Sequence, residues 1–323
     1  MRALAVTILL VLSGVVAALD SPDDAYVYTL TPEQVAPDTW VFFGSTDHFS
    51  MRNGGNIVNT AFIVTDVGIV VIDTGPSLKY GKAMREAIGR VSSSPIVTVF
   101  NTHNHPDHFL GNQAFSDVPI VALQGTIDGI KNQGEAFVEN LYRLLGPWMK
   151  GTELYLPTQA VEPGDFEIGN RRLSLFGLRG HSGADLAILD ASTGVLFAGD
   201  LCFHDRAPTT PTAVPGQWRD SLAQLASVDY KLMVPGHGPL AEDDAPIEET
   251  RAYLAWLEQN IERQVRSGRA MAEALGDEIP ERFQTMATLR EEYARSVMHL
   301  FPGVEKHFFE HAEAEGSESI YAE

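Results

Sequence analysis

Cysteine is almost absent. One thiol, Cys202, stands in 323 residues, so no disulfide can close within the chain and its stability must come from core packing and bound groups. Basic charge is scarce as well. Twenty-three Lys and Arg face 43 Asp and Glu, a net charge of -20. That balance excludes nucleic-acid binding, which needs clustered cations to neutralise phosphates, and equally excludes docking on an anionic membrane surface. Acidic residues crowd Glu242 to Glu249 and the stretch from Glu310 to Glu323, read as a solvated face and a disordered end. Long apolar runs are missing after the amino terminus. The run from Ala3 to Val16 falls short of the roughly 18 to 20 residues that span a bilayer. With Arg2 before it and the small residues Ala17 and Ala18 after it, it reads as a secretory signal peptide over residues 1–18, with an uncleaved anchor as the alternative. The expectation is a periplasmic or secreted protein with no stable membrane association once the leader is removed.

What remains is a chain long enough for a large core, with 44% hydrophobic residues and no visible repeat or low-complexity linker. TWVFFG, NTAFIVT and GIVVIDTG, between Thr39 and Gly75, read as hairpin strands around a mobile polar loop from Ser45 to Asn56. Ser77 to Val91 has helical apolar spacing and leads into the β-branched run PIVTVF. A second helical stretch covers about Thr126 to Leu145. Then β-type segments return: Phe166 to Ile168, RRLSLFGL, DLAILD and GVLFAGD, followed by a helix from Trp218 and the strand and turn of KLMVPGHG. Two β-rich halves, each followed by helices, predict an α/β fold, a four-layer αβ/βα sandwich over residues 19–245. Residues 246–323 are expected to pack on it as a helical C-terminal extension.

Directly after the strand ending at Phe100 stands NTHNHPDHFLGN, with His103, His105, Asp107 and His108 inside six residues of a chain holding ten histidines. At a strand end, residues two apart point the same way, so His103 and His105 can grip one ion. Pro106 turns the chain, and Asp107 and His108 can reach a second. Imidazole and carboxylate are ligands that zinc prefers. Three further polar residues follow apolar strands at glycine-rich turns: His181, Asp200 and His237. Glycine there would let backbone approach a crowded centre.

These residues, together with Asp73 in VIDTG, resemble in order the five motifs of the metallo-β-lactamase superfamily, over about Thr39 to Leu240. The resemblance implies two zinc ions per chain. His103, His105 and His181 would bind the first, Asp107, His108 and His237 the second, and the Asp200 carboxylate would bridge them with a shared hydroxide. Asp73 would order the loop, and Asp107 and His105 would be the catalytic residues, with Asp107 holding and shuttling the proton. Zinc β-lactamases carry Cys or Ser where Asp200 stands. The resemblance therefore points to a small ester, thioester or lactone as substrate, with β-lactam hydrolysis at most a weak side activity. Iron-dependent persulfide dioxygenases share the HxHxDH pattern and are the alternative, with iron as the metal; a zinc-binding periplasmic accessory protein without turnover is a third. FVENLYRLLGPWMKGTE, GDLCFHDRAPT and RAYLAWLE are similar to a subgroup, the quinoprotein relay system zinc metallohydrolases and proteins of sulfur-oxidation operons, which implies a periplasmic quinoprotein system as partner. Phe49, Met51, Phe203, His204 and Arg206 are expected at the mouth of the site, with Arg206 placed to hold an anion. Cys202 is expected to pack rather than ligate.

Overall fold

A computed structural model describes residues 25–320, with side chains as far as Glu310. The expected signal peptide, residues 1–18, lies outside the described residues. Among those described, no helix is long and apolar enough to cross a membrane.

Two sheets face each other. The first runs in the order β1 (Glu33–Ala36), β2 (Thr39–Phe42), β3 (Thr60–Val64), β4 (Ile69–Ile72), β5 (Ile96–Phe100), β6 (Ile120–Ala122) and β7 (Gln159–Ala160). Its first four strands are antiparallel and its last four parallel. The second sheet has the order β12 (Leu232–His237), β11 (Val195–Phe203), β10 (Asp185–Asp190), β9 (Arg171–Leu178) and β8 (Gly164–Ile168), with only β11 and β12 parallel.

Period-two alternation decides which side chains meet. On β3, Ala61 and Ile63 point between the sheets and Phe62 points out; on β10, Ile188 and Leu186 point in and Ala187 out. The inter-sheet core thus joins Val41, Ile63, Val70, Ile72 and Phe100 to Leu173, Leu175, Ile188, Phe197 and Val234. On the outer face of the first sheet lies α1 (Leu78–Val91), whose Tyr80, Met84, Ala87 and Ile88 recur at helical spacing. Ser77 caps it by accepting from the Tyr80 amide at 3.2 Å. The short α2 (Pro106–Phe109) and the long α3 (Gln124–Leu145) close a second apolar cluster through Phe109, Leu110, Ile130 and Leu141. On the outer face of the second sheet, α4 (Pro215–Leu225) and α5 (Ala245–Arg266) bury Trp218, Leu222, Ile247 and Leu254. These are the four layers expected from the sequence.

Beyond them, α5, α6 (Met271–Ala274) and α7 (Leu289–Ile320) form a cluster around Tyr253, Leu257, Phe283, Tyr293 and Val297. The helix α7 reaches into the stretch expected to be a disordered acidic tail. The backbone stitches this unit to the loop after β11: Ala287 N donates to Asp205 O at 2.8 Å, and Ala207 N to Ala287 O at 3.0 Å.

Ile188 is fully buried between the sheets. Ile188→Ala should cost about 2–5 kcal/mol, seen as a lower urea midpoint at unchanged slope. Val67→Ala, at a position 53% exposed, should stay within about 0.5 kcal/mol.

Candidate metal centre

The site lies where strands of both sheets end on one edge of the sandwich. Parallel β4 and β5 carry Asp73 and the HNHPDH loop out of the first sheet, and β9, β11 and β12 deliver His181, Asp200 and His237 from the second.

Asp73 organises the loop. Its φ of 57° is left-handed, a conformation that costs an Asp little and persists only where neighbours hold it. Its amide donates to Phe100 O at 2.8 Å. Its carboxylate accepts from the Thr102 amide, the Thr102 hydroxyl and His108 Nδ1, each at 2.8 Å.

Tautomers follow from these partners. Since Thr102 Oγ1 gives its proton to Asp73, it accepts from His103 Nδ1 at 3.1 Å. Thr212 Oγ1 donates to His181 O and so accepts from His105 Nε2 at 3.0 Å. His237 Nδ1 donates to Ile57 O at 2.7 Å. In each ring the outward nitrogen carries the proton, and the inward one presents a lone pair.

The inward nitrogens crowd together. His105 Nδ1 lies 3.0 Å from His103 Nε2 and 2.7 Å from His181 Nε2. Asp200 stands among them: Oδ2 is 3.8 Å from His103 Nε2, 3.3 Å from His181 Nε2 and 3.2 Å from His237 Nε2, while Oδ1 is 3.1 Å from His108 Nε2. Asp107 Oδ2 lies 3.4 Å from His237 Nε2 and 3.8 Å from His108 Nε2. All seven residues are buried. They fall into two groups able to hold a metal ion, His103, His105, His181 and Asp200, and Asp107, His108 and His237. Asp200 reaches both.

The donor set fits zinc. Zinc–nitrogen bonds of about 2.0–2.1 Å in a tetrahedron place neighbouring nitrogens about 3.3 Å apart, close to the spacing here. Lone pairs facing one another in the interior repel unless a cation lies between them. His108 Nε2 and Asp200 Oδ1, though near each other, are both buried without a hydrogen bond. Burial and the neighbouring imidazoles hold His103 and His105 well below the usual histidine range, so both are neutral, the ligand-competent form. Burial also disfavours charge on His108, but the carboxylates of Asp200, Asp73 and Asp107 outweigh it and raise that histidine. Burial would raise Asp200, yet His237, His108 and His181 hold it well below the usual carboxylate range.

Glycine works here as expected. A Cβ at Gly236 would stand 2.0 Å from Asp200 Oδ1, so only glycine lets β12 pass the carboxylate.

Above the centre opens a cavity of about 190 Å³, floored by His105, Asp107, Asp200 and His237 and walled by Phe49, Ile57, Phe137, Leu144 and Pro211. Arg206 lines it but is only 2% exposed: it donates to Thr46 O and Thr209 Oγ1 and pairs with Glu292 Oε1 at 3.6 Å. Three of the residues expected at the mouth need correction. Phe203 does not line the mouth; it is buried behind His237, its ring stacked on the imidazole at 5.1 Å and 10°. His204 points away, donating from Nδ1 to Pro239 O and facing Glu249. The register of β11 against β12 shifts between Gly199 and Phe203, so simple alternation after Asp200 misplaces both. Met51 is exposed and is not among the cavity's lining residues, whereas Cys202 packs in the apolar cluster around Trp218, as expected.

Several contributors escape a reading of the sequence. Thr212 and the carbonyl of Ile57 orient histidines far from them in the chain. Asp185, at the start of DLAILD, accepts from the amides of His181 and Ser182 and fixes that turn. His48, Asn140, Arg295 and His299 complete the cavity wall.

Comparison with known proteins agrees with this arrangement. Residues 53–237 match the model of the metallo-beta-lactamase superfamily, and the chain belongs to that superfamily. It is similar to the linear primary-alkylsulfatase of Pseudomonas sp. (strain ATCC 19151), 22% identical over 62% of this chain and 46% of the relative. A hydroxyacylglutathione hydrolase of Nostoc sp. (strain PCC 7120 / SAG 25.82 / UTEX 2576) is 29% identical over 41% of this chain and 46% of its own. The chain thus spans less than half the length of these curated relatives. Among solved structures, a metallo-beta-lactamase from Pontibacter korlensis shares the fold, with a TM-score of 0.57 at 22% identity, covering 70% of this chain and 99% of that one. Helices α5 to α7 lie beyond the matched family span.

Asp73→Asn would weaken the link that holds His108 Nδ1–H. It should lower zinc affinity about 10–100-fold, read by competition with a chromophoric chelator.

Proposed function

We propose that this chain is a dinuclear zinc hydrolase of a small ester, thioester or lactone, exported to the periplasm and serving a quinoprotein or sulfur-oxidising system. The observation that carries the hydrolase reading is Asp200, whose two oxygens face both metal-capable groups at the floor of an open cavity. Ser or Cys at that position could not reach both in this way.

His103, His105, His181 and Asp200 would hold one ion, and Asp107, His108, His237 and Asp200 the other. When bound, the pair supplies Lewis-acid polarisation of the scissile carbonyl and activation of water near neutral pH. Everything else falls to the chain. Asp107, 5% exposed on the cavity floor, is placed to take a proton from an attacking water and return it to the leaving oxygen or sulfur. Thr212 keeps His105 in its ligand tautomer. Phe49, Phe137 and Leu144 exclude bulk water and receive the apolar part of a small substrate.

The export and the periplasmic partner rest on the Ala3–Val16 run and on the likeness of FVENLYRLLGPWMKGTE and GDLCFHDRAPT to the periplasmic subgroup. The two curated relatives are named for a sulfatase and a thioester-type hydrolase, which supports ester-like chemistry without fixing the substrate.

Metal analysis of the purified protein should find about two zinc per chain, and a panel of thioesters, esters and lactones should be turned over. One iron and no hydrolysis would instead assign it to the persulfide dioxygenase class. Asp107→Ala and His105→Ala should each abolish turnover and lower zinc content; full activity in either variant would refute the roles given to them.

A further inference from the structure

Part of the cavity wall comes from outside the matched superfamily span. His48, Arg206, Arg295 and His299 stand along it, the last two on α7, outside the matched span. In a chain of net charge -20, this is a local concentration of basic side chains.

The carboxylate they contact is Glu292, which is fully buried, and its Oε1 is shared by His48 Nδ1 at 3.3 Å, Arg206 at 3.6 Å, Arg295 at 3.5 Å and the Thr209 hydroxyl at 3.0 Å. Two guanidiniums therefore face one carboxylate. Arg206 is immobilised, since Thr46 O and Thr209 Oγ1 also hold it. Arg295 is not: its side chain is 41% exposed, and among the described residues its polar contact with protein is the long one to Glu292, 3.5 Å. Most of its N–H donors are left for a ligand. Four residues along the helix, on the same face, His299 presents an imidazole with no hydrogen bond among the described residues.

We propose that Arg295 and His299 form a carboxylate-recognising wall of the cavity whose floor holds the metal-capable residues, so that the substrate carries a carboxylate apart from its scissile group. This rests on the hydrolase reading above and narrows its substrate to a small acid-bearing ester, thioester or lactone. The guanidinium fork matches a carboxylate with two parallel hydrogen bonds, and the half-enclosed cavity strengthens the pairing relative to water.

The test uses the zinc-loaded full chain and two probes of similar length, glutarate and butyrate, with binding measured by calorimetry. One carboxylate of either can sit at the metal pair; only glutarate has a second for α7. Glutarate should bind about tenfold more tightly than butyrate, the gap should shrink to within about threefold in Arg295→Gln, and Arg295→Lys should recover part of it. His299→Phe should narrow it further. Equal affinities in the unmodified protein, or a gap untouched by Arg295→Gln, would overturn the proposal. Turnover is read separately with mono-p-nitrophenyl glutarate and p-nitrophenyl valerate. A preserved glutarate preference with neither ester cleaved counts against the hydrolase reading alone; cleavage of both without any binding preference counts against the carboxylate wall alone.

Discussion

The centre depends on protons held in place on the far side of each ring. Asp73, Thr102, Thr212 and the Ile57 carbonyl occupy the outward nitrogens of His108, His103, His105 and His237, which turns the inward nitrogens toward the centre. These partners arise from different parts of the chain: β4, β5, the loop before β3 and the loop before α4. The two sheets must therefore be assembled in register before the ring orientations are defined. Seven buried residues turn their donor atoms toward one another, a crowding that bound cations would relieve, and any metal held there would be coupled to folding through the same contacts.

Much of this was legible in the sequence, because strand ends are legible. RRLSLFGL alternates and leads to His181, GVLFAGD is a continuous apolar run that ends in the lone acid Asp200, and the HNHPDH cluster announces itself by composition. The four-layer order followed from two β-rich halves with helices after each. The errors cluster after Asp200, where the register of β11 shifts and side-chain parity with it, sending Phe203 behind His237 and His204 toward Glu249. Tautomer-fixing partners were invisible for another reason. A backbone carbonyl has no sequence signature, and Thr212 is one threonine among several in its loop. The α7 contribution was hidden because an amphipathic helix shows which face is apolar but not which cavity its polar face overlooks.

Arg206 shows how a correct location can carry the wrong role. It was expected to hold a substrate anion and does line the cavity. With its guanidinium tied to Thr46, Thr209 and Glu292, though, it acts as the buried anchor that fixes α7 against the metal loops. A buried pair of this kind is conformationally specifying more than stabilising, since desolvation offsets much of the attraction. Its consequence is geometric: it sets where Arg295 and His299 stand.

The stitching of Ala287 to Asp205 and Ala207 is made by main-chain atoms alone. Main-chain hydrogen bonds are indifferent to side-chain identity, so with Glu292 kept, the cavity-facing positions of α7 can drift in sequence while the helix stays docked. Selectivity in such a protein can diversify on a helix remote from the metal ligands, leaving the chemistry intact while the range of accepted molecules changes.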